Sequence, residues 1–269
     1  MTTAIRRLRR VWKRTSPALI RAVNRVIVPL GWEAVPLKAA AKFAHAAKYQ
    51  LYWHKAAKKI DIRDLDGFGP LAAKAVAEHR TGMRQDRLYT LWQAVAGLTS
   101  DERPIVEVGA FTGGSARFIG EALRWLGRTN TFFVCDTFRG HVVVDEELDG
   151  PHRVGETFVD TSFEEVAAYL SDLPNIKVVP GDFRATSRQL EVQAPFAFVH
   201  VDVDVYPIIR YCLDFFATRV VPGSLVVVDD YGFTTCRGAR QAVDEFARSH
   251  AEFRLVHLLT GQALLIRLR

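Results

Sequence analysis

Cysteines and long apolar runs are scarce in this 269-residue sequence, and one familiar glycine pattern is absent. The three cysteines, Cys135, Cys212 and Cys236, have no CxxC spacing and no metal-ligand neighbours in sequence, so we expect free thiols in a reducing compartment. No apolar run is long enough to span a bilayer, and the basic start lacks the apolar core of a signal peptide, so we expect a cytoplasmic protein. The glycine-rich loop near residue 110 lacks the G-x-G-x-x-G spacing that favours dinucleotides.

Basic residues are concentrated at one end of the chain. Residues 1–60 hold fourteen Lys and Arg against a single acid, Glu33, whereas residues 61–269 hold 22 Lys and Arg against 29 Asp and Glu, a net charge of −7. The overall net charge of +6 therefore comes from the N-terminal arm. Because the body is mildly acidic, we expect no nucleic acid among the partners.

The start of the N-terminal arm has the pattern of a basic amphipathic helix. Apolar side chains at positions 5, 8, 11 and 12 recur at helical spacing between arginines and lysines. Three interpretations stay open: a helix that packs on the body or on a second subunit of a homo-oligomer, a contact with an anionic membrane surface, and an unstructured tail. Liposome binding by a chain without residues 1–35 separates the membrane interpretation from the others.

The sequence divides into two parts near residue 80. Residues 1–80 are predicted to form a basic, mainly helical N-terminal extension, with a polar loop at 61–70. In residues 81–269 strands alternate with helices, which is typical of an α/β domain whose mostly parallel sheet is covered on both faces. The predicted strands are 105–108, 132–135, 176–179, 196–201 and 225–228, with a closing antiparallel hairpin of 253–258 and 263–268, and the predicted helices are 36–60, 71–79, 84–98, 115–123, 163–170, 207–220 and 238–249.

A glycine loop follows the first predicted strand and opens the next helix. The strand contains one acid, Glu107, and the helix begins at Ser115. Between them, Gly109 begins a Gly-x-x-x-Gly-Gly pattern that lets a ligand approach the backbone, because no Cβ stands in the way. A strand, a glycine turn and a helix N-terminus form a ligand site in an open α/β sheet. The acid and the glycine spacing together resemble the first motif of S-adenosylmethionine methyltransferases.

Each of the other parallel strands is predicted to end in an acid. These acids are Asp136, Asp182, Asp202 or Asp204, and the adjacent pair Asp229 and Asp230. Carboxylates at one edge of a sheet repel one another, so they need partners. We assign Asp136 to ribose hydroxyls and Asp182 to the side of the adenine pocket. The acids of the fourth and fifth strands form an all-oxygen set that suits a hard cation, for which Mg²⁺ is the best fit.

A long irregular segment, Thr137 to Thr161, interrupts the alternation after the second strand. Loops of this length inside a compact domain usually act as lids or binding loops. The segment contains His141, whose ordinary pKa suits a general base. Asp202 is the second candidate base, and His152 and His200 are weaker ones.

Seven motifs in consistent order over residues 81–250 resemble those of the macrocin O-methyltransferases. The motifs are Glu107-Val-Gly-x-x-x-Gly-Gly-Ser, Cys-Asp136-Thr-Phe-x-Gly, Asp149-Gly-x-His-x-x-Gly, Phe158-x-Asp-Thr-Ser, Gly181-Asp-Phe, His200-Val-Asp-Val-Asp-Val-Tyr206, and Val228-Asp-Asp-Tyr-Gly followed by Cys236-Arg-Gly-Ala-Arg. That family methylates sugar hydroxyls on macrolides and other glycosylated natural products. The resemblance implies an S-adenosylmethionine- and Mg²⁺-dependent enzyme with the Rossmann-like class I methyltransferase fold and a seven-stranded sheet.

The resemblance also implies roles for individual residues. The metal ligands would be Asp202, Asp229 and Asp230, and Asp204 would stabilise its own loop. The implied cofactor contacts are Glu107, Gly109, Ala110, Phe111, Thr112, Gly113, Ser115, Asp136, Thr137, Gly181, Asp182, Phe183 and Asp202, with Thr81 and Arg87 closing over the cofactor.

We therefore expect methyl transfer to a hydroxyl of a sugar on a glycosylated natural product. Binding both oxygens of a vicinal diol to Mg²⁺ would orient one hydroxyl and stabilise its developing charge. A catechol, phenol or lipid-linked glycan acceptor is the main alternative. The acids at every strand end argue against a non-catalytic subunit that only binds the cofactor. The acidic charge of residues 61–269 argues against a nucleic-acid methyltransferase.

Overall fold

The computed structural model describes residues 65–98 and 102–269. The predicted amphipathic arm and the predicted helix at 36–60 lie outside these residues. Residues 65–269 form one compact unit. The helix nearest its start, which the sequence analysis assigned to the N-terminal extension, therefore belongs with the α/β body. No helix in the described ranges is long and apolar enough to cross a bilayer.

Seven strands form one mixed sheet in the spatial order β3-β2-β1-β4-β5-β7-β6. The strands are β1 (Ile105–Val108), β2 (Phe132–Asp136), β3 (Ile176–Pro180), β4 (Phe196–Val201), β5 (Val220–Val228), β6 (Phe253–His257) and β7 (Ala263–Arg267). The first five are parallel, and β7 runs antiparallel to both β5 and β6. Every residue of β1 and β4 is buried, as expected of central parallel strands covered on both faces. This topology confirms the predicted parallel sheet with its C-terminal hairpin.

Seven helices in the described part of the chain cover the two faces of the sheet. They are α1 (Leu65–Ala77), α2 (Gln85–Ala96), α3 (Gly114–Trp125), α4 (Phe163–Tyr169), α5 (Phe183–Glu191), α6 (Tyr206–Phe216) and α7 (Arg237–Ser249). Buried residues of α1 to α4 pack in one hydrophobic cluster, and buried residues of α5 to α7 pack in the other. Alternate residues of β1 enter the two clusters, since Ile105 faces the first and Val106 the second.

Helix α1 begins six residues before the start predicted from the sequence, and it contains Pro70. The polar loop predicted at 61–70 is therefore wrong from Leu65 onward. Phe68 explains the difference. Its side chain is buried, and its ring centroid lies 5.0 Å from that of Tyr89 and 6.1 Å from that of Phe118. These ring contacts stabilise a helical turn that local sequence disfavours.

Helix α5 was not predicted. Its signals are weak, because only Phe183 and Leu190 of its nine residues are large and apolar. The two lie seven positions apart, so they are on one face of the helix, and both are buried. Asp182 caps the helix by accepting a hydrogen bond from the backbone N of Arg184 at 2.9 Å. Strand β5 also differs from its prediction, since it starts at Val220 and includes Pro222 and Gly223, with a register irregularity against β4.

Candidate active site

The glycine loop follows β1 and lies next to the end of β4. The order of the strands in the sheet reverses between these two neighbours. The backbone N of Gly109 donates to the carbonyl of Cys135, and that of Asp202 donates to the carbonyl of Val108, both at 2.8 Å. Gly109 has a φ of 95°, and a Cβ at this position would overlap the carbonyl oxygen of Asp202. Only glycine fits here, so the loop and the end of β4 form one surface.

The carboxylate of Asp136 holds the glycine loop in place. Its Oδ2 accepts hydrogen bonds from the backbone N of Ala110 and of Phe111, both at 2.8 Å. Its Oδ1 accepts one from the backbone N of Phe138 at 2.7 Å. Any contact of Asp136 with ribose hydroxyls would therefore use the remaining lone pairs of a carboxylate that already accepts three amide hydrogens.

Glu107 and His200 form a fully buried pair on neighbouring strands. Oε1 of Glu107 lies 2.9 Å from Nδ1 of His200, and both side chains have no exposed area. Glu107 Oε2 and His200 Nε2 find no hydrogen-bond partner among residues 65–98 and 102–269. Neither side chain lines the cavity described next, so this pair lies beneath the site rather than in it.

A cavity of about 260 Å³ opens over the carboxyl ends of β1, β2, β3 and β4. Four predicted site residues do not line it, namely Glu107, Thr112, Gly113 and Asp229. Thr112 instead donates from Oγ1 to the carbonyl of Arg80 at 2.7 Å. The predicted site residues that do line the cavity are Thr81, Arg87, Gly109, Ala110, Phe111, Ser115, Asp136, Thr137, His141, Gly181, Asp182, Phe183, Asp202 and Asp230.

Asp182 and Phe183 border the cavity at the start of α5. Hydrogen bonds from the guanidinium of Arg184, the nearest at 2.6 Å, hold the pKa of Asp182 below its ordinary value. Phe183 is buried, and its ring stacks on that of Phe216 at 5.6 Å. The cap and the stacked ring fix this side of the cavity.

The acids that end β4 and β5 converge on one point. Asp202, Asp229 and Asp230 each offer one carboxylate oxygen, and the three oxygens lie within 4.8 Å of one another. Adjacent side chains normally diverge, but Asp230 has a φ of 59°, so the chain turns and brings both carboxylates to the same side. Burial, together with the charges of neighbouring acids, raises the pKa of Asp202 and of Asp230 well above the ordinary carboxyl value.

Arg87, from α2, contacts this acidic cluster. Its Nη1 forms an ion pair with Asp229 and lies 3.6 Å from Asp230, while Nη2 donates to the carbonyl of Gly82 at 2.9 Å. Burial acts against its charge, but the three acids raise the pKa of Arg87 above its ordinary value. Arg87 was predicted only to close over the cofactor, and no local pattern in the sequence indicates that it faces the predicted metal ligands.

Residues of the irregular segment between β2 and α4 line the cavity, and the role of this segment as a lid stays a prediction. We call residues 137–162 the lid segment. His141 lines the cavity, and its Nε2 lies 3.1 Å from Nδ1 of the buried His152. Burial lowers the pKa of His141. Fully buried Asp149 ties the segment to α6, because its Oδ1 accepts from the backbone N of Tyr206 at 2.9 Å.

Comparison with known proteins identifies the family. The macrocin-O-methyltransferase (TylF) family matches residues 39–255. The chain belongs to this family. It is therefore an S-adenosylmethionine-dependent O-methyltransferase, which confirms the predicted family and enzyme class.

Two similar proteins are O-methyltransferases by name. The 8-demethyl-8-(2,3-dimethoxy-alpha-L-rhamnosyl)-tetracenomycin-C 4'-O-methyltransferase of Streptomyces olivaceus is 30% identical over 180 residues, which are 61% of this chain and 67% of that protein. The mycinamicin III 3''-O-methyltransferase of Micromonospora griseorubida is 28% identical over 192 residues, which are 65% of this chain and 72% of that protein.

Solved structures confirm the class I methyltransferase fold. The O-methyltransferase NovP superposes with a TM-score of 0.56 at 23% identity, over 71% of this chain and 83% of that one. The calicheamicin methyltransferase CalS11 gives a TM-score of 0.55 at 19% identity, over 77% and 94% of the two chains. At these identities the likeness concerns the fold alone.

Proposed function

We propose that this enzyme methylates a hydroxyl of a sugar carried by a glycosylated natural product, with Mg²⁺ at Asp202, Asp229 and Asp230 binding the acceptor diol. The single observation that carries the proposal is the convergence of these three carboxylates beside the glycine loop. The two named relatives, whose names specify positions on sugars of antibiotics, support the sugar acceptor and a place in antibiotic biosynthesis.

The acidic cluster fits a divalent cation. Three carboxyl groups lie beside one guanidinium in the described part of the chain, and their raised pKa values reflect acids that lack enough positive charge nearby, which a divalent cation would supply. Oδ1 of Asp229 is buried and has no hydrogen-bond partner in the described ranges, which is costly unless a cation or donor reaches it. All three ligands are oxygens, the donor type that Mg²⁺ prefers over softer metals.

The glycine loop fits S-adenosylmethionine. Gly109 and the amides held by Asp136 present backbone without side-chain obstruction at the edge of the cavity, and Asp182 and Phe183 border its other end. When bound, S-adenosylmethionine would supply an electrophilic methyl group, and Mg²⁺ would lower the pKa of the acceptor hydroxyl. The protein's own contribution is to hold donor and acceptor at adjacent strand ends and to cover them with the lid segment.

Two residues are proposed to take the acceptor proton, His141 and Asp202. Cys236 Sγ lies 3.8 Å from Oδ1 of Asp204 and 3.7 Å from Nε2 of His152. If the thiol donates to the carboxylate, His152 donates from Nε2 to sulfur and accepts at Nδ1 from His141. His141 then keeps a free lone pair on Nδ1, and its lowered pKa keeps that nitrogen unprotonated near neutral pH. Asp202 lines the same cavity and would act beside the metal.

Methyl transfer from trideuteromethyl S-adenosylmethionine to a panel of acceptors tests the proposal. The panel holds natural-product glycosides with a free vicinal sugar diol, the same glycosides with one hydroxyl already blocked, and catechols. We expect a one-methyl mass gain on an unblocked glycoside with Mg²⁺ and none in a chelator. Asp229→Asn should abolish transfer, while Asp214→Asn, a surface acid paired with Arg210, should not. Transfer to catechols alone, or transfer that persists in chelator, contradicts the sugar or the metal assignment respectively.

The part of the predicted N-terminal extension that precedes α1, residues 1–64, is proposed to contact the acceptor or a second subunit of a homo-oligomer, with peripheral membrane contact as the alternative. Its basic charge is the support for this proposal, because residues 1–64 lie outside the described residues. Sedimentation and liposome binding of a chain without residues 1–35 distinguish the three versions. A normal oligomer, normal turnover and unchanged liposome binding would leave the arm without any of these roles.

A further inference from the structure

A second group of metal-ligand side chains lies where the lid segment meets the end of β4. His141 and His152 come from the lid segment, and Asp204 comes from the loop after β4. One donor atom from each lies within 4.8 Å of the other two. None of the three belongs to the carboxylate set at Asp202, Asp229 and Asp230, and the donor types differ: two imidazole nitrogens and one carboxylate oxygen.

The distance between the two imidazoles suits a single tetrahedral ion. Nε2 of His141 lies 3.1 Å from Nδ1 of His152. Two nitrogens bound tetrahedrally to Zn²⁺ at about 2.0–2.1 Å lie roughly 3.3 Å apart. An ion between the rings would replace the hydrogen that now joins them, and little movement of either ring is needed. Nitrogen-rich sets with one carboxylate favour Zn²⁺ and related transition metals over Mg²⁺.

The surroundings of His152 fix its ring in the way that the surroundings of a metal ligand do. His152 is buried, its ring stacks on Phe158 at 6.4 Å, and its other nitrogen faces Cys236 Sγ at 3.7 Å. The ring of His141 meets Phe158 edge-on at 5.5 Å. Metal-ligating histidines generally use their second nitrogen in such an outer contact, which fixes ring orientation and tautomer. Burial also favours the neutral imidazole of His141, the form that binds a metal.

The group is open on one side. His141 and Asp204 both line the cavity, so a fourth position would face it. Three protein ligands with one open position are typical of exchangeable or catalytic zinc sites, whereas structural sites are closed by four. An ion here would also join two separate segments of the chain, because His141 and His152 lie on the lid segment and Asp204 lies after β4.

We propose that His141, His152 and Asp204 form a transition-metal site that takes Zn²⁺, next to the carboxylate site because an oxygen of Asp204 also lies within 4.8 Å of one of Asp230, and that this ion fixes the lid segment to the end of β4. The site needs no acceptor and no S-adenosylmethionine, so its test does not depend on methyl transfer. With the ion bound to Nε2, the hydrogen of neutral His141 would lie on Nδ1, and Asp202 would be the remaining candidate base.

Cobalt(II), a coloured substitute for Zn²⁺, tests the site in the full chain after chelator treatment and in the presence of excess Mg²⁺. We expect one Co²⁺ with the intense visible absorption of four-coordinate nitrogen and oxygen ligation, displaced by Zn²⁺ but not by Mg²⁺. His152→Gln and His141→Gln should each abolish this absorption, and Cys236→Ala should weaken binding by about 10- to 100-fold, as for an outer-shell partner. His257→Gln, at an exposed histidine on β6, is the matched control and should bind normally.

The variant Asp229→Asn distinguishes this site from the carboxylate site experimentally. That variant should lose Mg²⁺-dependent properties and keep the cobalt absorption. Cobalt binding that survives in both His152→Gln and His141→Gln, or that disappears in Asp229→Asn, or that Mg²⁺ displaces, would overturn the assignment. A hydrogen–deuterium exchange measurement gives a second readout: Zn²⁺ should slow exchange in residues 137–162 of the wild type and not of His152→Gln.

Discussion

Replacing Arg87 by Met tests how the acidic cluster is neutralised. Among the described residues, Arg87 supplies the guanidinium that contacts both Asp229 and Asp230, and its side chain is 16% exposed. Methionine keeps much of the length and packing of the side chain but removes the charge. The variant therefore leaves three carboxyl groups close together without the guanidinium that pairs with them, unless a metal ion binds.

The expected loss of stability is large in chelator and small with Mg²⁺. Removing one partner of a buried ion pair costs about 3–5 kcal/mol. For a domain of this size, about 2–4 °C of Tm corresponds to each kcal/mol, so Tm should fall by about 6–20 °C in EDTA. In the variant, Mg²⁺ at a hundredfold excess over its Kd stabilises the folded state by about 2.7 kcal/mol, and it no longer competes with a guanidinium for the carboxylates. Most of the loss should therefore disappear when Mg²⁺ is added.

Differential scanning fluorimetry with and without Mg²⁺ measures both effects. Arg117→Met is the matched control, since Arg117 is 14% exposed and pairs with Glu121 and Asp172, away from the cavity. It should lose stability to the same extent in both buffers. If Arg87→Met also lost the same Tm in EDTA and in Mg²⁺, the cluster would not be a cation site and the reasoning would be refuted.

Three further predictions concern the glycine loop, the pH dependence and the base. Gly109→Ala should lower Tm and abolish binding of S-adenosylhomocysteine in calorimetry, because the new Cβ would overlap the Asp202 carbonyl and a positive φ costs a non-glycine residue about 1–3 kcal/mol. Gly127→Ala, at a φ of 64° with open space around it, should keep full binding. Equal binding by the two variants would contradict the packing argument. The pKa of Asp202 and of Asp230 is raised in the folded protein, so the metal-free fold binds more protons than the unfolded chain. The Tm in EDTA should therefore fall as the pH rises above the ordinary carboxyl range, and saturating Mg²⁺ should make this fall smaller. An equal pH dependence of Tm in both buffers would contradict a cation site at these carboxylates. His141→Ala should lower kcat by about 10²–10⁴-fold and leave cofactor binding intact, whereas near-normal turnover beside an inactive Asp202→Asn assigns the proton transfer to Asp202.

The sheet could be predicted because its signals are local. Buried strands such as Phe196–Val201 are continuous apolar runs, and the acids that end them mark the carboxyl edge of a parallel sheet. The meeting of Asp202 with Asp229 and Asp230 follows from that edge, and the structure brings their oxygens together. Their role as metal ligands stays a prediction.

The features that were missed depend on contacts distant in sequence. Helix α5 carries too few apolar residues to stand out, and α1 is stabilised at Phe68 by rings from two other helices. The pairing of Arg87 with Asp229 joins positions 142 residues apart. Likewise His152 and Cys236 look isolated in sequence, and only the folded lid segment brings the thiol to 3.7 Å from the imidazole. Periodicity and spacing along the chain carry no information about such contacts.

The central claim is that a divalent cation binds at Asp202, Asp229 and Asp230, one strand away from the methyl donor. Mn²⁺ relaxation of ¹³C-methyl S-adenosylmethionine bound to the protein tests it without an acceptor, and it is best done in His152→Gln so that the second site is removed. We predict strong relaxation enhancement of the methyl carbon, reversed by excess Mg²⁺ and lost in the double variant that adds Asp229→Asn. Bound cofactor whose methyl carbon relaxes equally with and without Asp229 would contradict the account.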